Sequence, residues 1–195
     1  MTALPQKLQQ LLDKGQGPAA RILDKMPKIV QESISKALAY PYQYPELDAF
    51  TKCIMAVQMK QGRSGLIGAD LVQSRREFDA QMLSIVSKAT FVAEVEDIRL
   101  PLQSGTLFAR HYHPAPNKKL PMLVFYHGGG FVIGGLDTHD EACGIIAKYA
   151  KVQVLSIDYP LAPETSPHLL IQSCEDALAW VYQNRRQLKI HKNYI

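Results

Sequence analysis

The stretch Met122–Phe131, MLVFYHGGGF, decides how this sequence folds. Its first half is a short apolar run, rich in branched and aromatic residues, and it predicts a buried β-strand. Gly128, Gly129 and Gly130 follow, and three consecutive glycines predict a loop with an exposed backbone. Because glycine has no Cβ atom, main-chain N–H groups in such a loop can come close to a ligand. The stretch therefore predicts amide donors at the end of a strand, suited to hold a negatively charged oxygen.

Patterns typical of strands and helices alternate in the second half of the sequence. Four apolar or alternating runs predict strands, and two periodic stretches predict helices. The strands are expected at 91–98, 105–112, 120–126 and 152–157, and the helices at 138–150 and 172–188. This succession indicates an α/β fold with a mostly parallel sheet and crossover helices on its faces.

The two helices of this region allow more detailed predictions. Thr138 or Asp140 is expected to cap the first helix, because side-chain oxygens accept hydrogen bonds from the unpaired N–H groups of a first turn. The second helix is amphipathic. Its buried side is expected to consist of Ala177, Leu178, Trp180 and Val181.

Residues 1–88 show helical periodicity interrupted by glycine and proline. Asp70 is expected to cap the last helix of this region. The apolar stripes are expected to pack in a core; they are Leu8, Leu11 and Leu12, then Ile29, Ile34 and Leu38, then Phe50, Ile54 and Met55, and finally Leu71, Phe78, Met82, Leu83 and Val86. The change of period predicts a helical region over 1–88 and a sheet-containing region over 89–195.

Two segments together resemble a known family. HGGGFVIGGLDTHD (127–140) and SIDYPLAPE (156–164) are similar to the motifs that flank the third and fourth strands in the hormone-sensitive-lipase-like branch of the α/β-hydrolases. The resemblance covers residues 91–195. It implies the N-terminal half of an α/β-hydrolase core, an incomplete sheet preceded by a helical cap. For the complete protein it implies carboxylesterase or lipase activity on small or medium acyl esters.

The resemblance also implies roles for the glycine loop. Gly129 and Gly130 would provide the N–H donors of an oxyanion hole, and Gly128 would shape the turn. His127 would anchor the loop by hydrogen bonding and would not be the catalytic histidine. The chemistry requires neither a metal nor an organic cofactor.

A second set of roles falls on the segment that follows the fourth strand. Asp158, Tyr159 and Glu164 would brace the loops around the site. Many relatives carry arginine where this chain has Pro160. That difference removes a cationic partner for Asp158 or Glu164.

The nucleophile motif of this fold, Gly-Xaa-Ser-Xaa-Gly, does not occur in the 195 residues. In the family the nucleophile follows the strand that would begin at Tyr194-Ile195, and the acid and histidine come later. We therefore expect the chain to lack the catalytic triad and to be inactive alone. The strand at 120–126 would be an open edge of the sheet, available to a complementary C-terminal half or to self-association.

Other chemistries fit the sequence less well. The glycine loop lacks the GxGxxG and GK[ST] patterns of nucleotide-binding loops. Ser156 and Ser64 are interpreted as a core hydroxyl and a turn residue. His111 and His113 alternate on a strand, and we interpret them as a solvent-facing pair, because no third metal ligand is evident. A non-catalytic binding module, or a gene relic, is the alternative to the enzyme interpretation.

Composition narrows the function classes further. The net charge of +4 is scattered, which does not favour nucleic-acid binding. No apolar run has the roughly 20 residues that cross a bilayer. The first ten residues do not resemble a signal peptide, so a cytoplasmic location is expected. The three cysteines, Cys53, Cys143 and Cys174, are expected to be free thiols.

Overall fold

The computed structural model describes residues 16–38, 46–60, 67–85, 90–102 and 105–191. They form two compact units, which divide in sequence between residues 86 and 87. Several predicted features lie outside the described residues: the stripe at Leu8, Leu11 and Leu12, the turn at Ser64, the apolar position Val86 and the strand start at Tyr194-Ile195.

The first unit is helical. Its helices are α1 (Gln16–Asp24), α2 (Lys28–Ala37), α3 (Ala49–Lys60) and α4 (Leu71–Ile85). Leu38 and Ala56 are buried where α2 and α3 pack together. Gln31, also buried, donates from Nε2 to Leu23 O at 2.8 Å and so satisfies a carbonyl at the end of α1.

The cap of α4 is confirmed, but two of the apolar positions in this unit are not. Asp70 Oδ1 accepts a hydrogen bond from Gln73 N at 2.9 Å, as expected of an N-cap. Ile29 is 73% exposed and Leu83 is 53% exposed, so their expected burial is wrong. On α2 the buried positions are taken by polar Gln31 and Ser35, whose groups bond to backbone carbonyls.

The second unit combines a four-stranded sheet with two α-helices and a short 3-10 helix. The strands are β1 (Glu94–Leu102), β2 (Gly105–His113), β3 (Met122–Tyr126) and β4 (Gln153–Asp158). The 3-10 helix (Asp137–His139) leads into α5 (Asp140–Ala150), and α6 (Pro167–Asn184) follows β4. The α/β fold class is confirmed.

The strands lie in the order β1-β2-β4-β3. β3 and β4 are parallel, whereas β1–β2 and β2–β4 are antiparallel, so the described sheet is mixed. The short connection between β1 and β2 permits only an antiparallel pair, while the α5 crossover permits the parallel one. Among the described strands, β3 pairs only with β4 and lies at one edge.

Each face of the sheet is covered by one helix. Leu155 and Ile157 of β4 point to the α6 face, where they pack with fully buried Ala177 and Val181. Val154 points to the opposite face and packs with residues of α5. The period of two along β4 therefore separates two apolar cores.

Details of both helices differ from the sequence predictions. Thr138 does not cap α5; its hydroxyl bonds to the backbone of Gly135 instead. α6 begins at Pro167, five positions before the predicted start, with Ser166 as its N-cap. Leu178 is 38% exposed and not part of the buried side, whereas Ala177 and Val181 are buried as predicted. Trp180 is partly buried against the same core.

Candidate functional site

The glycine loop begins where β3 ends, at the carboxyl edge of the two parallel strands. Gly129 has a φ of 130° and Gly130 a φ of 61°, conformations that side chains disfavour. A Cβ atom on Gly129 would lie 1.9 Å from the carbonyl oxygen of Ile133, so only glycine fits. At Gly130 a Cβ would meet nothing within 4 Å. The backbone at the two positions is therefore constrained for different reasons.

The loop closes on itself through one carbonyl. Gly129 O accepts hydrogen bonds from Val132 N and Ile133 N, both at 3.1 Å. Within the described part of the chain, the N–H groups of Gly129 and Gly130 have no backbone acceptor. Gly130 is exposed and Gly129 is partly exposed, so both amides remain available to an external oxygen.

His127 and Tyr159 meet beneath the loop. Their rings stack with centroids 4.2 Å apart, and the Tyr159 hydroxyl donates to His127 O at 2.6 Å. His127 Nδ1 lies 2.9 Å from Gly128 O, which can only accept, so Nδ1 carries the proton. The remaining ring nitrogen, Nε2, is buried and has no partner among the described residues. Both side chains are almost fully buried, at 4% exposure each.

A second glycine pair, Gly134-Gly135, lies in the segment that leaves the loop and passes close to Gly128. Gly134 has a φ of 95°, and a Cβ there would lie 2.6 Å from Gly128 O. Thr138 Oγ1 lies 2.9 Å from both the N and the O of Gly135. Sequence reasoning missed this pair, although two adjacent glycines after the loop were a usable signal.

Arg110, on β2, is another residue that sequence reasoning missed. Its guanidinium donates to Asp97 at 2.7 and 3.1 Å, and to Asp137 and Asp140 at 2.9 Å each. Tyr112 also donates to Asp140, at 2.7 Å. These bonds attach the 3-10 helix and the start of α5 to the sheet, and so fix the far end of the glycine loop.

The segment after β4 lies beside the loop. Ala162 N donates to Phe131 O at 2.8 Å, which ties this segment to the residue that follows the glycines. Asp158 is partly exposed, and desolvation by the surrounding protein raises its pKa. Glu164 is exposed in the turn after the cis peptide bond of Ala162-Pro163. Pro160 lies between Tyr159 and this turn.

The other nucleophile candidates are placed in the core. Ser156 is fully buried on β4, which confirms a core position. Burial raises the pKa of the Cys143 thiol to about 11 and also raises the pKa of Cys53 and Cys174. All three thiols are therefore protonated at neutral pH, which disfavours a nucleophilic role.

The expected solvent-facing pair of histidines is wrong. His111 and His113 are only 8% and 3% exposed, because the end of α6 and the segment after it cover this part of the sheet. His111 Nε2 lies 2.8 Å from Oε1 of buried Gln153. Among the described residues, no three His, Cys, Asp or Glu side chains are arranged to hold a metal ion.

Among the described residues, no helix combines the length and the apolarity that crossing a bilayer requires.

Known proteins are similar to this chain over most of its length. Residues 123–195 match the family described as alpha/beta hydrolase fold. The chain is 32% identical to the carboxylic ester hydrolase LipN of Mycobacterium tuberculosis, over 84% of this chain and 44% of that protein. It is 27% identical to lipase 2 of a Moraxella species, over 85% of this chain and 43% of that protein.

Solved structures of esterases are also similar to this chain. A Pyrobaculum calidifontis esterase is 36% identical with a TM-score of 0.62, and the match covers 68% of this chain and 43% of the esterase. The chain thus spans less than half the length of each of these relatives. From its fold and these similarities, the chain has the α/β-hydrolase fold and is similar to the N-terminal half of the esterases named above.

Proposed function

We propose that this chain is the part of a serine carboxylic-ester hydrolase that supplies the oxyanion hole. The amides of Gly129 and Gly130 would donate to the alkoxide that forms when an ester carbonyl is attacked. The observation that carries this proposal is that the N–H groups of partly exposed Gly129 and exposed Gly130 have no backbone acceptor among the described residues, in a loop that Gly129 O closes and that leaves no room for a side chain at Gly134. Donors fixed before the reaction need not reorganise as charge develops.

Four residues from the sequence analysis serve as supports in this proposal. His127 and Tyr159 form a stacked, buried base under the loop, because the Tyr159 hydroxyl holds His127 O. Asp158 and Glu164 belong to the segment that Ala162 N ties to Phe131 O. These contacts restrain the loop from two sides. The helical region over 1–88 would act as a cap over the acyl pocket.

The nucleophile, acid and base would come from a complementary C-terminal half. The 195 residues contain no Gly-Xaa-Ser-Xaa-Gly, so we expect the chain alone to give no serine-dependent burst with a nitrophenyl ester. The substrates would be small or medium acyl esters, and no metal or organic cofactor would take part. We propose a cytoplasmic location for the complete enzyme.

Co-expression with a complementary C-terminal half that carries the serine elbow, the acid and the histidine tests the proposal. We expect the joined protein to hydrolyse short nitrophenyl esters, and Gly130→Ala to lower kcat about 100-fold, as expected when an oxyanion donor is misplaced. Gly105→Ala is the matched control. It also has a positive φ, of 132°, and open space for a Cβ, but it lies in the β1–β2 hairpin.

Equal loss of activity in the two variants would contradict the proposal, since Gly105→Ala strains the backbone at least as much as Gly130→Ala but lies away from the loop. Specific binding of an ester without turnover, in a joined protein that contains a serine elbow, would instead support the non-catalytic binding module.

A further inference from the structure

Phe131 directly follows the two proposed donors and has a backbone conformation that bulky side chains disfavour. Its φ is 65°, in the left-handed region, where such a residue is an outlier. Gly129 O accepts a hydrogen bond from Val132 N at 3.1 Å, so Gly130 and Phe131 are the central residues of a four-residue turn. Positive φ at both central positions is typical of a type I′ turn, in which glycine, asparagine and aspartate predominate. The turn itself therefore disfavours phenylalanine at position 131.

The other left-handed residues of the second unit have simpler explanations. Besides glycines, the described residues with positive φ are Phe131 and two lysines. Lys151, with a φ of 57°, ends α5, and a left-handed residue is common at the end of a helix. Lys189 lies in the turn after α6, where its N–H donates to Arg186 O. Phe131 is thus the only apolar side chain in this conformation among the described non-glycine residues.

Burial does not explain the choice of phenylalanine either. Phe131 is 54% exposed, so its ring gains little hydrophobic stabilisation. Among the described residues its ring contacts one other ring, that of Tyr159, edge to face with centroids 6.2 Å apart. A strained residue that the core does not require points to function.

Two contacts hold Phe131 in place beside the donors. Ala162 N donates to Phe131 O at 2.8 Å and restrains its backbone, while the ring rests against buried Tyr159. Adjacent Cα atoms are about 3.8 Å apart, so a molecule bound at the N–H of Gly130 lies within reach of the exposed ring. A restrained aromatic ring provides contact area at a low cost in conformational entropy.

The chemistry of the ring indicates what it can recognise. Two aromatic rings attract each other edge to face or in an offset stack, beyond the effect of the area that they bury. A saturated ring of the same size buries a similar area but lacks the quadrupole that gives this attraction. An exposed phenyl ring beside the donors therefore favours an aryl group over a saturated one.

We propose that Phe131 is a specificity-determining residue that selects esters with an aryl group beside the reacting carboxyl. The ester carbonyl accepts hydrogen bonds from the amides of Gly129 and Gly130, and the aryl group packs on the exposed ring of Phe131. This role rests on the proposed function, because the ester binds at the same loop.

Titration of the 15N-labelled chain with benzyl acetate and with cyclohexylmethyl acetate tests the proposal without requiring turnover. The two esters are similar in size, but only benzyl acetate has an aryl group. We expect saturable shifts of the Gly130 and Phe131 amide signals, and about fivefold tighter binding of benzyl acetate, the preference expected for one aromatic pair. Phe131→Leu should abolish this preference.

Phe91→Leu is the matched control for the loss of an exposed ring. Phe91 is 78% exposed, and its neighbour Val92 lies beside Gly144 of α5. This variant should keep the fivefold preference. The proposal is overturned if the original chain binds both esters equally, or if Phe131→Leu prefers benzyl acetate as strongly as the original chain does.

Unfolding in urea separates a role in specificity from a role in packing. Phe131→Asn removes the ring, and asparagine tolerates the left-handed conformation, so the urea midpoint should equal or exceed that of the original chain. Lys151→Asn is the control, because it makes the same replacement at an exposed left-handed residue. A lower midpoint for Phe131→Asn alone would show that the ring serves the fold, and would overturn the proposal.

The joined protein extends the test to turnover. The ratio of kcat/KM for benzyl acetate to that for cyclohexylmethyl acetate should fall about fivefold in Phe131→Leu, mainly through KM. Methyl phenylacetate and methyl cyclohexylacetate move the ring to the acyl side, and the pair whose ratio depends on Phe131 identifies the side that is recognised. Hydrolysis of both pairs with ratios independent of Phe131 would overturn this proposal alone. Binding that depends on Phe131, in a joined protein without turnover, would support the aryl site and contradict the oxyanion function.

Discussion

Gly129 and Gly130 are neighbours with different physical requirements. Alanine at position 130 costs only the free energy of a left-handed backbone conformation, about 1–2 kcal/mol. Alanine at Gly129 meets a backbone oxygen at 1.9 Å as well as a φ of 130°. We expect Gly129→Ala to lower the free energy of unfolding by more than about 3 kcal/mol, beyond the usual range for backbone strain alone. Urea denaturation of both variants measures the difference.

Amide hydrogen exchange shows whether the loss is local to the loop. Val132 N and Ile133 N both donate to Gly129 O, so their protection should fall in Gly129→Ala and persist in Gly130→Ala. Equal stability of the two variants would show that the loop tolerates a side chain at both positions.

Arg110 is expected to be the most sensitive charged residue of the second unit. Arg110→Met leaves Asp97, Asp137 and Asp140 without their shared donor and should lower the free energy of unfolding by about 2 kcal/mol. Arg99→Met is the control. Arg99 lies on β1, is exposed, and lies over the ring of Phe108, so its replacement should cost less than about 1 kcal/mol.

For Arg110→Met we also predict a change in the way that the free energy of unfolding depends on pH. The hydrogen bond from Arg110 lowers the pKa of Asp97 below its ordinary 3.8. A carboxyl with a lowered folded-state pKa stabilises the fold above its unfolded pKa and loses that contribution as the pH falls through the folded value. We therefore expect the stability of the original chain to fall more steeply than that of Arg110→Met between about pH 5 and pH 2. Parallel curves would contradict this role of Arg110.

The sequence predicts residues whose role is local better than residues whose partners are distant. Gly128, Gly129 and Gly130 are adjacent to one another and to a strand, so the ten residues Met122–Phe131 are enough to predict the loop. Arg110 donates hydrogen bonds to Asp137 and Asp140, which lie in elements far along the chain. Neither a run of charges nor a regular spacing in the sequence indicates that these residues interact. The same reason explains why His111 and His113 were misplaced, since strand alternation does not show what covers a face.

At the level of elements, substitutions in α6 show which of its positions stabilise the fold by packing against the sheet. Val181 is fully buried against the sheet, whereas Leu178, which the sequence places on the buried side, is 38% exposed. We expect Val181→Ala to lower the free energy of unfolding by about 2 kcal/mol, since a core cavity remains. Leu178→Ala should cost less than about 1 kcal/mol. Thermal or urea unfolding compares them, and the reverse order would mean that α6 is rotated.

The boundaries of α6 were also the weakest element prediction. Ser166-Pro167 is a good N-terminal signal, with a capping hydroxyl before proline at the first position. Apolar periodicity alone places the start of the helix at Gln172, because His168, Leu169 and Ile171 are exposed and do not continue the apolar stripe. Three of the strands are predicted within two residues of their observed ends, because apolar runs bounded by turns define them, whereas β1 begins three residues later and ends four residues later than predicted.

For the whole molecule, the open side of β3 is the feature from which we predict how the chain behaves in solution. Among the described strands β3 pairs only with β4, so its other side offers backbone N–H and C=O groups beside apolar side chains. Leu123, on this strand, is 38% exposed. A complementary segment or a second copy of the chain can add a strand at this edge, which is the basis of the partner proposed above.

Leu123→Lys tests this edge directly. We expect the original chain to associate in a concentration-dependent manner and Leu123→Lys to remain monomeric, because a charge on an edge strand opposes strand addition. Ile145→Lys is the control, since Ile145 is similarly exposed, at 42%, but lies on α5. It should associate like the original chain. Sedimentation velocity over a wide concentration range measures all three. Monomeric behaviour of the original chain, or equal association of both lysine variants, would show that β3 is not an adhesive edge.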